Sequence, residues 1–145
     1  MSQATIPANL VTEFAPAPSN EAARHFERLL AFETDCYDVH HALGRHDPGF
    51  VLLDVRSPEA YAAGHVPGAV NLPSRRIAES TLAEYPAETL FVVYCSGSHC
   101  NGADRAALRL ARLGRPVKKM IGGIAGWRYE GYELVSHAGA ARAAH

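Results

Sequence analysis

Val92–Leu108 reads VVYCSGSHCNGADRAAL, and the fold turns on this stretch. The run that leads into it, LFVVY from Leu90, is β-branched and aromatic and predicts a buried central strand. The run breaks at Cys95. From Gly102 to Leu113 the pattern becomes helical, with Ala103, Ala106, Ala107, Leu110 and Ala111 on one side. Gly114 and Pro116 are its stop signals. Strand, short loop and helix in that order form the repeating unit of an open α/β sheet. Ligands of such sheets sit at the carboxyl ends of strands, beside helix N-termini. Cys95 stands at that point.

The alternation extends in both directions. Upstream, Asn20 is a candidate cap for a helix through Leu30, with Ala22, Ala23, Phe26, Leu29 and Leu30 sharing a face. AFET suggests a short strand, and Asp35 caps a helix over Cys36–Leu43 that stops near Gly44. FVLLDV reads as a strand buried on both faces, because polar alternation is absent. Ser57-Pro58-Glu59 opens a short helix that Gly64 ends. A brief strand follows over Ala69–Leu72, then a helix expected from Arg75 to Tyr85 with Pro86 just beyond. Downstream, VKKMI is a fifth strand and GIAGWRYEG a final turn or short helix. The predicted class is therefore α/β: an open, mostly parallel five-stranded sheet with helices on both faces. Residues 1–19 read as an N-terminal arm, 20–136 as the domain and 137–145 as a tail.

Composition narrows the function classes. A net charge of −1 gives no electrostatic reason to expect nucleic acid or an anionic membrane as partner. The N-terminus lacks a basic region followed by an apolar one, so no secretory signal is expected, and no window reaches the length of a membrane span. Three cysteines in 145 residues do not make a disulfide framework. A reducing cytoplasm is the expected compartment. The arm and first helix are the candidate surface for a dimer.

The loop itself suggests chemistry. Ser96, Gly97, Ser98, His99, Cys100 and Asn101 are small or turn-forming enough to curl and aim several N–H groups inward. Asn101 can cap the following helix, with Asp104 completing a capping box. Inward amides at a helix start bind anions and favour a thiolate, so Cys95 is expected to have a lowered pKa and raised reactivity.

Three ordered segments then resemble one family. The Cys95 loop is similar to the active-site loop of rhodaneses (sulfurtransferases). LLDVRSPEAYAAGHVPGAVNLP resembles their first signature, through Asp54, Arg56, Glu59, the Gly64–Ala69 turn and Asn71. MIGGIAGWRYEGYEL resembles their closing signature, through Gly122, Gly123, Trp127 and Gly131. The resemblance implies that Cys95 is the nucleophile and carries a sulfane sulfur as a persulfide. Thiosulfate or a persulfide would be the donor, and cyanide, a thiol or a protein cysteine the acceptor, in a ping-pong cycle. The loop residues Ser96–Asn101 would bind the substrate and the persulfide anion. No metal or organic cofactor is implied.

One position departs from the family. Many members place an arginine five residues after the nucleophile, where this chain has Cys100. Without that guanidinium fork a sulfonate loses its bidentate partner, which weakens the case for thiosulfate. Arg75, Arg76 and Arg105 are the candidates to replace it. Position 101 is Asn, so the arginine of the related phosphatases is absent too. Cys100 either resolves a Cys95 persulfide, pairs with Cys95 in a redox or relay function, or only packs. His99 either shuttles a proton or faces solvent. Cys36 and His40 share a helical turn but lack further ligands, so Cys36 reads as core. Asp54 and Arg56 read as structural, with Arg56 expected to pair with Glu59. Trp127 reads as a core anchor, and His65 as the residue that fixes its turn.

Overall fold

The protein, described here by a computed structural model, is defined for residues 9–137. The first eight residues of the arm and the tail beyond His137 lie outside the described residues. The described chain divides into two compact units between Ala31 and Phe32. The first contains all but the last residue of helix α1 (Ser19–Phe32), which begins one residue before the expected cap. The carbonyl of Pro18 accepts its first amides, those of Glu21 and Ala22.

The second unit runs β1 (Glu33–Thr34), α2 (Cys36–Leu43), β2 (Val51–Asp54), α3 (Pro58–Ala63), β3 (Val70–Asn71), β4 (Phe91–Tyr94), α4 (Gly102–Arg112), β5 (Val117–Met120) and α5 (Gly123–Tyr129). All pairings in the five-stranded sheet are parallel, in the order β1-β5-β4-β2-β3. The expected α/β class holds, with the mostly parallel sheet now wholly parallel. Side-chain alternation along β2 and β4 feeds two cores. Leu52, Val92 and Tyr94 pack with Val39 of α2 and with Ile124 and Trp127 of α5. Leu53, Phe91, Val93 and Cys95 pack with Ala103, Ala106 and Leu110 of α4 on the other face. Each fully buried large apolar side chain here contributes about 1.5–3 kcal/mol, so the centre of the sheet is a stiff platform for the loop after β4.

Two caps behave as read. Asp35 and Ser57 accept amides at the starts of α2 and α3, from Asp38 and Ala60. The expected helix over Arg75–Tyr85 is absent. A single 3-10 turn covers Ser74–Arg76, followed by successive turns. The Thr81 hydroxyl accepts from Ala78 N–H and lies 2.8 Å from the Arg76 carbonyl. Such local side-chain bonds compete with a helical ladder. Ile77 and Leu82 are buried from this segment against the face that α4 covers.

Arg56 pairs with Asp54 at 2.7 Å and donates to the Gly64 carbonyl, so the expected partner Glu59 is not the one used. Residues two apart on an extended chain point the same way, which puts Arg56 beside Asp54 at the end of β2. The Tyr94 hydroxyl donates to the same carboxylate and accepts from Val66 N–H. His65 stacks on Tyr61 and reaches its carbonyl through Nδ1 at 2.8 Å, and Trp127 is buried with its indole N–H on Glu133 O. His40, one turn from Cys36, is stacked on Tyr132.

Candidate active site

Cys95 follows the last residue of β4, and its side chain turns toward the α4 face. The loop that follows is closed by its own backbone. The Cys95 and Ser96 carbonyls accept from Ile124 and Ala125, the first turn of α5, and Cys100 N–H donates to Gly97 O. With those carbonyls turned away, the loop is free to direct amides toward sulfur. Two glycines make the arrangement fit. Gly123 has φ +54, and a side chain there would run into the Cys95 carbonyl and the Gly97 amide. A Cβ on Gly102 would lie 2.7 Å from Cys95 Sγ.

The two sulfurs are neighbours. Cys95 Sγ and Cys100 Sγ are 2.9 Å apart, both as free thiols, and Gly102 N–H donates to Cys100 Sγ at 3.4 Å. Burial, and then the hydrogen bond to Cys100, push the Cys95 thiol up, while the Ser96 amide and hydroxyl pull the other way. Cys100 is held below the usual thiol value, first by the hydrogen bond from Cys95 and then by the Gly102 amide. The pair thus keeps its proton on Cys95 and its charge on Cys100. This reverses the expected lowering at Cys95. The amides stabilise a thiolate as anticipated, but the less buried sulfur takes the charge.

Asn101 makes no side-chain cap at the start of α4. The expected capping box is absent because the Asp104 carboxylate is engaged by Lys119 Nζ at 2.9 Å. His99 is exposed, with its ring over Gly97. A cavity of about 260 Å³ opens beside the sulfurs, lined by Cys95, Gly97, Ser98, Cys100, Lys119 and residues of the β5–α5 turn among others. Ser96, His99 and Asn101 do not line it. Neither do Arg75, Arg76 and Arg105, so none of the three candidate arginines takes the vacant role.

The cation at this cavity is Lys119, which the sequence reading missed. It lies between Asp104 and, at 3.6 Å, Glu33, both also in the lining. The lysine pair in VKKMI, polar inside a short parallel strand, was the available signal.

The rhodanese-like domain family matches residues 38–130. The chain belongs to the rhodanese-like family. It is 38% identical over 89 residues to the thiosulfate sulfurtransferase GlpE of Pseudomonas entomophila, covering 60% of this chain and 78% of that protein. It is 44% identical over 91 residues to the HTH-type transcriptional regulator Rv0324 of Mycobacterium tuberculosis, which covers 61% of this chain but only 39% of that protein. Among solved structures, BH2092 of Bacillus halodurans superposes with a TM-score of 0.80 at 39% identity, covering 83% of this chain and 88% of the other. Similarity to rhodaneses of the thiosulfate sulfurtransferase kind supports sulfur transfer in general terms. No described helix is long and apolar enough to cross a membrane.

Proposed function

We propose that the chain is a sulfurtransferase that moves a sulfane sulfur from thiosulfate or a persulfide to a thiophilic acceptor through a persulfide on Cys95. The observation that carries this reading is the position of Cys95: at the end of β4, in a loop closed onto α5, at the wall of an open cavity. The Cys95 proton passes to Cys100 Sγ, 2.9 Å away, and the Cys95 thiolate so formed attacks the outer sulfur of the donor. The donor S–S bond breaks, and sulfite or a thiol leaves with the electron pair. The resulting persulfide is an anion, and the amides of the loop favour it as they favour a thiolate. An acceptor (cyanide, a small thiol or a protein cysteine) then takes the outer sulfur and restores Cys95.

The charges at the cavity bear on the donor. Lys119 is shared with two carboxylates, Asp104 and Glu33. A dianionic sulfonate therefore meets no free guanidinium here, and a persulfide donor suits the site better. The free thiols also fit a reducing compartment such as the cytoplasm.

Intact mass after brief anaerobic exposure to thiosulfate, and separately to glutathione persulfide, tests the reading in a Cys100→Ser background. One added sulfur is expected there and none when Cys95→Ser is added. Cyanide should strip the label as thiocyanate. An unlabelled Cys100→Ser protein with both donors would remove Cys95 as a sulfur carrier.

A second reading has its own support. The adjacent thiols of Cys95 and Cys100 suit a thiol-disulfide or protein-fed sulfur relay, and similarity to part of a transcriptional regulator suits a regulatory module.

A further inference from the structure

Resting on the persulfide reading, we infer that Cys100 discharges the Cys95 persulfide as hydrosulfide, so that the chain reduces sulfane sulfur as well as transferring it. In a Cys95 persulfide the inner sulfur is Cys95 Sγ itself. An external acceptor has to reach the outer sulfur through the cavity, whereas Cys100 Sγ stands 2.9 Å from the Cys95 sulfur in the resting protein. The loop is closed by the Cys100 N–H to Gly97 O bond and by its two bonds to α5, so the approach needs no large rearrangement. Gly102 leaves the flank of both sulfurs clear. A Cβ there would lie 2.7 Å from Cys95 Sγ and 3.4 Å from Cys100 Sγ. Both cysteines line the same cavity, which gives a departing sulfide a way out.

The step balances. Cys100 thiolate attacks Cys95 Sγ, a Cys95–Cys100 bond forms, and the bond to the outer sulfur breaks. That sulfur leaves with the electron pair as hydrosulfide, keeping its proton if it carried one or taking one from solvent. The outer sulfur is reduced to sulfide, and the two cysteines are oxidised to a disulfide. A second reductant must reset the pair: one dithiol, or two monothiols acting in turn through a mixed disulfide. With thiosulfate and a monothiol the sum is one thiosulfate and two thiols giving sulfite, hydrogen sulfide and one disulfide. Cys100 thereby sets the product. With it, thiol-free protein stops after one sulfide; without it, the sulfur waits on Cys95 for an acceptor.

The test uses reduced, thiol-free wild type and Cys100→Ser, mixed anaerobically with thiosulfate and, in parallel, with glutathione persulfide. Sulfide is trapped with monobromobimane, and protein mass is read after acid quench. Wild type should release one sulfide per chain without added thiol and end lighter by two hydrogens. Cys100→Ser should hold one added sulfur and release sulfide about ten-fold more slowly or less, since it has lost an intramolecular nucleophile. Dithiothreitol should then restore repeated turnover to wild type. If Cys100→Ser loads and wild type also keeps its added sulfur without releasing sulfide, this inference alone is overturned. If Cys100→Ser does not load with either donor, the persulfide reading falls and takes the inference with it.

Discussion

Cys36 and Cys95 occupy equivalent places in the fold in different backbone surroundings. Each lies just past the carboxyl end of a parallel strand, β1 or β4, on the way into a helix, α2 or α4. Cys36 is already the first residue of its helix and faces carbonyl oxygens, those of Ile121 and Gly123 at 3.5 and 3.6 Å. A thiol among acceptors is held as a donor. Burial first, and then the charges of Asp35 and Glu130, push Cys36 up to about 11. Cys95 has a loop between strand and helix, and that loop sends its carbonyls to α5 and leaves amides for sulfur. A strand end near a helix start does not make a reactive cysteine. The sign of the backbone groups around it does.

The largest expected effect is a split in alkylation rates. With a value of about 11, Cys36 is only about one part in a thousand thiolate near pH 8. Cys100, held below the usual thiol value, is the more ionised by a wide margin. Peptide mapping after a short iodoacetamide pulse should find Cys100 labelled first and Cys36 last. Burial holds Cys95 protonated first, and removing Cys100 takes away the hydrogen bond and charge that add to it, so in Cys100→Ser the pH profile for labelling Cys95 should move to lower pH. Equal labelling of Cys36 and Cys100 would break the comparison.

Gly123 belongs to both environments, because its carbonyl faces Cys36 and its Cα side faces the Cys95 loop. Gly123→Val adds bulk where the Cys95 carbonyl and Gly97 amide already sit, at a positive φ that a β-branched residue resists. Strain of this kind costs about 1–3 kcal/mol if the loop holds. If the loop yields instead, sulfur loading in a Cys100→Ser background should fall by about ten-fold or more, in proportion to the misplacement of the thiol. Urea unfolding and loading measured on the same preparation separate the two responses. An unchanged result in both would show that the loop does not depend on this close approach.

Much of this was legible in the chain. LFVVY and FVLLDV announce buried parallel strands because neither face is polar, and Ser57-Pro58 and Asp35 announce helix starts. The Cys95 loop was readable as a strand–loop–helix junction. What was not readable depended on partners distant in sequence. Asp104 looks like half of a capping box until Lys119 on β5 claims it. Arg56 has two acidic neighbours in sequence, and only the extended backbone selects Asp54 over Glu59. The split between the Cys95 and Cys100 thiols needed burial, which spacing alone does not contain. The segment Arg75–Tyr85 failed for a local reason, since the Thr81 hydroxyl competes for backbone bonds that helix periodicity assumes are available.

The smallest expected effect concerns Cys36 alone and fixes the inert end of the comparison. Cys36→Ser keeps a donor for the Ile121 or Gly123 carbonyl but exchanges a larger, apolar sulfur for an oxygen in a buried site. A loss of about 1 kcal/mol near neutral pH is expected, within the usual range for a changed buried hydrogen bond. The pH dependence is the sharper part. In the unfolded chain the thiol ionises near 9.0, and in the folded chain at about 11. Between those values the folded state binds more protons than the unfolded state, so stability falls as pH rises through that window. Serine does not titrate there and has no such loss. Wild type should therefore be the more stable chain at neutral pH, with a margin that shrinks above pH 9.0 and changes sign before about 11. The raised tyrosines Tyr61, Tyr85 and Tyr94 contribute to both chains and cancel in the difference, whereas Tyr132, raised by burial, then by Glu130 and in part by the Cys36 charge, adds to the wild-type loss in the same direction. Urea midpoints of the two proteins across that range measure the margin directly. A margin that stays constant would mean Cys36 ionises as freely folded as unfolded, and burial beside Asp35 and Glu130 would then not be what sets it apart.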